Sequence, residues 1–104
     1  MAGDIPQGIS VEPIYVIEAT YAPDAAETRP AVRPKHLARI AELMREGRVI
    51  EGGGYLDLST SIILVRAASE AEAIALMRDD IYLKAGVWTE VRARPFGRVV
   101  VARE

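Results

Sequence analysis

An α+β fold with the element order β-α-β-β-α-β is predicted for this chain by three features of its spelling. Stretches dense in β-branched and aromatic residues stand at 14–21, 60–65 and 87–93. Two segments between them repeat apolar residues at helical spacing, and proline or glycine punctuates the junctions. The 104 residues suffice for one core and not for two.

Residues 1–12 carry Gly3, Pro6 and Gly8 without periodicity and read as a flexible leader, and residues 13–104 read as a single domain. Ile14 to Tyr21 is the first strand. The Pro-interrupted stretch Arg29-Pro30-Ala31-Val32-Arg33-Pro34 leads into a helix that Pro34 opens at its first position and Gly47 stops. Arg48 to Glu51 is a second strand, after which Gly52-Gly53-Gly54 relaxes the backbone, and Thr60 to Val65 is a third. Ser69 with Glu72 three residues on forms a capping box, and Ala71, Ile74, Met77 and Ile81 follow at helical spacing, giving a helix to about Arg78. Val87 to Ala93 alternates as the fourth strand, Pro95 ends it, and Arg98 to Ala102 adds a short edge strand. The order is the ferredoxin-like one, in which two helices cover one face of an antiparallel sheet.

The other face of such a sheet should be polar, yet both alternating sets are largely apolar: Ile14 and Val16 against Tyr15, Ile17 and Ala19, and Ile62 and Leu64 against Ile63 and Val65. A strand apolar on both sides is covered on both sides. A second copy of the chain is the economical cover, so two sheets face to face in a dimeric α+β barrel are expected.

Composition narrows the function. Without cysteine, disulfide scaffolds, iron–sulfur clusters, Cys-ligated zinc and thiol nucleophiles are excluded, and the single histidine excludes a multi-His metal site within one chain. Thirteen basic against 15 acidic residues give a formal net charge of −2, without the basic excess of a nucleic-acid binder. No apolar run reaches the roughly 18 residues of a membrane-spanning helix, and the N-terminus lacks a basic region followed by an apolar one, which points to the cytoplasm. Small-molecule chemistry or protein association remains.

On a helix of about 100° per residue, Ile40 and Leu43 fall within about 40° of His36, and Leu37 and Met44 extend the same apolar stripe. His36 therefore faces the sheet. It is either a core-edge histidine bonded to a backbone carbonyl or, at the positive end of a helix dipole that favours its neutral form, a base. A base needs an orienting partner, and the acidic candidates are Asp79 and Asp80, which also read as an ordinary solvated helix end. Ser61 is a possible hydrogen-bond donor. Arg92 and Arg94 are expected to share a strand face with Trp88 and Glu90. Gly52-Gly53-Gly54 lacks the following Lys and Ser/Thr of a phosphate loop.

The block Val32-Arg33-Pro34-Lys35-His36-Leu37-Ala38-Arg39 is followed by Glu46-Gly47-Arg48 and a Gly-rich turn, then Ser61, then Asp80-Ile81-Tyr82 with Ala85-Gly86-Val87, then Arg94-Pro95-Phe96. In this order and spacing it resembles the YciI-like (YCII-related) family over nearly the whole predicted domain. The resemblance implies a dimeric α+β barrel of ferredoxin-like halves with a pocket in which a His and an Asp form an acid–base dyad. By motif these are His36 and Asp80, since Asp79 lies outside the Asp-x-Tyr element; the family's serine falls on Ser61 and its helix-opening arginine on Arg33. Ile81 stands where the family usually has proline, so Asp80 is expected to be held less rigidly.

Relatives of this kind act as dehydrochlorinases on chlorinated aromatic compounds, and the wider group includes lactone isomerases and cofactor-free monooxygenases. The resemblance thus implies a cofactor-independent lyase or isomerase acting on a small cyclic or aromatic acidic substrate. His36 would serve as base and then acid, Asp80 would orient it, and Ser61 or Arg33 would bind a developing oxyanion. The alternative is a non-catalytic homodimeric module that binds a ligand or a partner, which Ile81 favours.

Overall fold

Strand β1 (Ile9–Tyr21) is the spine of a four-stranded antiparallel sheet ordered β2-β3-β1-β4. The computed structural model describes residues 4–102. After β1 come α1 (Ala25–Arg45), β2 (Val49–Gly54), β3 (Thr60–Val65), α2 (Glu70–Arg78), the single-turn α3 (Ile81–Lys84) and β4 (Trp88–Val101). The architecture is the ferredoxin-like one that the element order predicts.

The helices lie on one face. Leu43 of α1, Ala73, Leu76 and Met77 of α2 and Tyr82 of α3 pack in one cluster with Ile17 and Ala19 of β1, Ile63 and Val65 of β3 and Ala93 of β4. Thus Tyr15, Ile17, Ala19 and Tyr21 form the covered set of β1, and Val16, Glu18 and Thr20 the open one. The open face is less apolar than expected. Val16, Leu64 and Ile62 form an apolar strip, but Glu18 pairs across the sheet with Arg94 (3.4 Å) and Arg92 (3.9 Å).

Several element boundaries differ from the sequence expectation. Residues 9–12, expected in the leader, pair with β4 in register from Ile9↔Val101 to Glu12↔Arg98, and Glu12 is tied to Arg66 and Arg98. Pro95 does not end the fourth strand, which runs on through it to Val101. As the sheet edge, β4 pairs only with β1, so a missing N–H is tolerated there. Beyond Tyr15, β1 has no β3 partner, so its N-terminal half and the end of β4 form a two-stranded ribbon. The three glycines after Glu51 lie within β2 rather than outside it.

Helix α1 opens at Ala25, with Pro30 and Pro34 inside it, instead of at Pro34. The turn Tyr21-Ala22-Pro23-Asp24 is anchored by Ala22 N–H donating to Val87 O (2.8 Å), and the buried Ala25 already packs on the core. This tertiary anchorage outweighs the backbone hydrogen bonds that the prolines forfeit. Of the expected stripe, His36 and Leu43 are buried while Leu37 and Met44 are exposed. Ser69 caps α2 as expected, accepting Glu72 N–H at 3.1 Å.

One irregularity positions the site. The β1–β4 register shifts between Thr20↔Glu90 and Tyr21↔Trp88, so Thr89 is left unopposed. This bulge turns Trp88 onto the helix face, away from Arg92 and Arg94, with which it was expected to share a side.

Candidate functional site

The site begins with the way α2 stops. Asp79 ends that helix, and the chain then turns extended at Asp80 (φ −76°, ψ 141°), which becomes the N-cap of α3. The Asp80 carboxylate, fully buried, is held at three points. Its Oδ1 accepts the Tyr82 N–H (2.9 Å) and lies 2.7 Å from His36 Nδ1; its Oδ2 accepts Arg39 Nη1 (3.2 Å). Arg39 is itself fixed by donating Nη2 to the Leu76 carbonyl at 2.7 Å. His36 and Arg39 stand three residues apart on α1 and so grip the same carboxylate from one helix face. With Ile81 where the family usually has proline, Asp80 still has the capping bond from Tyr82 N–H and contacts to His36 and Arg39.

Burial alone would push the Asp80 carboxyl up. The hydrogen bond to His36, the Tyr82 N–H, the charge of His36 and the Arg39 bond outweigh it and hold the carboxyl below its ordinary value. With a neutral ring, an ionised Asp80 would accept from Nδ1–H and Nε2 would carry the lone pair; no hydrogen bond to Nε2 is found among the described residues. The ring plane is set by aromatic neighbours. Tyr82 stacks on His36 with centroids 3.7 Å apart and planes 8° from parallel, and Trp88 stands nearly perpendicular to both at 5.3 and 5.4 Å.

His36 lines a pocket of about 160 Å³ with Tyr21, Arg29, Arg33, Ser61 and Tyr82, closed on one side by the β2–β3 turn at residues 53–58. A larger open space of about 670 Å³ lies against the ribbon, bounded by Val11, Pro13, Phe96 and their neighbours, but no acid, base or nucleophile other than Tyr15 borders it. Size alone would choose that space; chemistry selects the smaller one. In the His36 pocket the Ser61 hydroxyl donates to Gly53 O (2.9 Å), so its proton is already committed and the oxygen can only accept without rearrangement. Gly54 lets the Tyr21 ring come close: a Cβ there would lie 2.6 Å from the Tyr21 hydroxyl and displace the end of that side chain. In the same turn Leu58 adopts φ 58°, a left-handed conformation that branched side chains rarely occupy.

The structure thus brings His36 and Asp80 into contact and sets Ser61 and Arg33 around the same pocket. Arg29, Tyr21 and Tyr82 join them at the pocket, and Arg39 at Asp80, without having been expected there. A helix opening at Pro34 hides Arg29; extended back to Ala25, the spacing Arg29, Arg33, His36 puts all three on one side of α1. Among the described residues no three of His, Cys, Asp and Glu cluster as a metal site, and no helix is long and apolar enough to cross a membrane.

Sheet order, single-sided helices and a His–Asp pair at a small pocket define a ferredoxin-like α+β domain. The chain belongs to the YCII-related domain family, which matches residues 14–97. Its relatives include the proteins YciI of Escherichia coli O6:H1 and of Shigella flexneri, each 34% identical over 96 residues, covering 83% of this chain and 98% of theirs. An uncharacterized protein of Haemophilus influenzae is 30% identical over 95 residues, covering 82% of this chain and 97% of its own. Among solved structures, the 5-chloro-2-hydroxyhydroquinone dehydrochlorinase of Burkholderia phenoliruptrix, in complex with 2,5-dihydroxybenzoquinone, shares the fold with a TM-score of 0.69 and 21% identity. That match covers 80% of this chain and 92% of the dehydrochlorinase.

Proposed function

We propose that the chain is a cofactor-independent lyase or isomerase that moves a proton on a small cyclic acidic substrate. The observation that carries this reading is the buried contact of 2.7 Å between His36 Nδ1 and Asp80, beside a pocket that His36 lines. His36 Nε2 takes a proton from a carbon or hydroxyl of the substrate. Asp80 holds the tautomer and stabilises the imidazolium formed, and the same Nε2–H returns the proton to the product or to a leaving group. The Ser61 hydroxyl can donate to the developing oxyanion only by releasing Gly53 O. The volume of about 160 Å³ is close to that of a cavity that accepts one benzene ring, which suits a single-ring substrate. The fold shared with a dehydrochlorinase named for a monocyclic substrate is consistent with this class of chemistry.

The pocket sits in a protein that we read as a homodimer, with the strip of Val16, Ile62 and Leu64 covered by a second copy. Such an interface buries about 2,000 Å² or more when obligate.

The test is proton exchange. In deuterated buffer, a panel of monocyclic hydroxyquinols, lactones and keto acids is scanned by NMR for protein-dependent loss of C–H signal. At least one member should exchange with the wild-type chain, and His36→Ala, correctly folded, should lower that rate by about 10²–10⁴-fold. Exchange that survives His36→Ala contradicts the reading, as does a panel on which the wild type and His36→Ala are equally inactive.

A further inference from the structure

We propose that Arg29 and Arg33 form a carboxylate clamp at the mouth of the His36 pocket, so that the substrate is a ring bearing a carboxylate that takes no part in the reaction. As a substrate clamp this rests on the acid–base reading of His36; as an anion site it does not.

Pairing and position together set these two arginines apart: Arg78 also has no carboxylate partner among the described residues, but it is exposed at the end of α2 and does not line the pocket. Arg39, Arg45, Arg48, Arg66, Arg92, Arg94 and Arg98 each lie against a carboxylate. Neither Arg29 nor Arg33 has a hydrogen bond or ion pair with any described residue, and both line the pocket. No carboxylate shares that lining, since Asp80 lies behind the imidazole. Two uncompensated guanidinium groups therefore border a space that contains no negative charge.

They are one helical turn apart on α1, about 5–6 Å between their Cβ atoms, close enough for both forks to engage one two-oxygen anion. A phenolate offers a single oxygen and would employ one of them. Their charge is felt within the pocket: both draw the Tyr82 hydroxyl toward ionisation, against burial and Tyr21, which push it up more strongly.

Depth separates the clamp from the chemistry. Arg33 is exposed and Arg29 half-buried, whereas His36, Ser61 and Tyr82 are buried. A carboxylate held at the rim keeps part of its hydration, which spares the desolvation penalty of a fully buried ion. The ring it carries then lies inward toward His36, in a volume suited to one ring.

The probes are benzoate, its neutral isostere benzamide, and inorganic phosphate. Binding is followed through Trp88, the single tryptophan, whose ring centroid lies 5.3 Å from that of His36. Benzoate is expected to bind about tenfold or more tightly than benzamide and than phosphate. Arg29→Gln and Arg33→Gln should each weaken benzoate about tenfold without affecting benzamide, and added salt should weaken benzoate alone. Equal binding of benzoate and benzamide, no benzoate binding, or an unaltered affinity in the double variant overturns the clamp. Phosphate binding as tight as benzoate overturns the assignment to a ring carboxylate. The benzoate preference should persist in His36→Gln, so the clamp can stand or fall separately from the acid–base reading.

Discussion

Replacing Asp80 by alanine is expected to remove about 3–5 kcal/mol of unfolding free energy, a large share of the roughly 5–15 kcal/mol that holds a domain of this size together. The substitution leaves the part-buried Arg39 guanidinium and, where water does not reach, His36 Nδ1 and the Tyr82 N–H without their shared acceptor. Its neighbour provides the control: Asp79 is exposed, and Asp79→Ala should change stability by no more than about 0.5 kcal/mol. Urea unfolding measures both. The same experiment has a pH signature. Asp80 is held below the ordinary aspartate value of 3.8 in the folded chain, so its ionised form contributes stability above that value, and the contribution is lost as pH falls through the lower folded value. The stability gap between wild type and Asp80→Asn should therefore narrow as pH falls below about 4. A gap that stays unchanged or widens as pH falls below about 4 would mean that Asp80 is not held as the carboxylate.

Ile17→Asp should abolish folding at any protein concentration, whereas Val16→Asp should act through association. Ile17 is fully buried between Ile63 and Ala93, so the variant loses an aliphatic side chain worth about 2–5 kcal/mol and buries an unpaired charge as well. Val16, one residue away, lies on the open face between Leu64 and Arg94, where an isolated monomer would accept a carboxylate readily. In a face-to-face dimer it would not. The wild-type melting temperature should rise with protein concentration, and Val16→Asp should melt well below it at every concentration. A wild type with concentration-independent melting, and a Val16→Asp variant as stable as it, would show that the open face is simply solvated.

Much of this architecture was legible because the covered faces are spelled in the right period. Ile17-x-Ala19 and Ile63-x-Val65 mark strands, and Ser69-x-x-Glu72 marks a helix start. What was hidden is tertiary. Pro34 reads as a helix opener because local rules count the N–H that proline lacks, whereas the anchorage of Ala22 on Val87 and the burial of Ala25 begin the helix nine residues earlier. Pro95 reads as a stop because nothing in the spelling says that β4 is an edge strand. The bulge at Thr89 leaves no trace in the alternation, so Trp88 was placed with the arginines instead of beside His36. Within the site, His36, Asp80, Ser61 and Arg33 stood out through a family resemblance. Arg39 was spelled in the same block, but its role depends on the carboxylate of a residue 41 positions away, which only the packing of α1 against α3 makes evident.

The central claim is that Asp80 fixes His36 as the Nδ1–H tautomer with Nε2 available to accept a proton. Nitrogen-15 NMR of the single histidine, recorded at a pH where the ring is neutral, reads this directly. The wild-type chain should show a protonated Nδ1 and an unprotonated Nε2, and Asp80→Asn should lose that preference and populate Nε2–H. A wild-type histidine protonated at Nε2, or a tautomer indifferent to Asp80→Asn, would contradict the account.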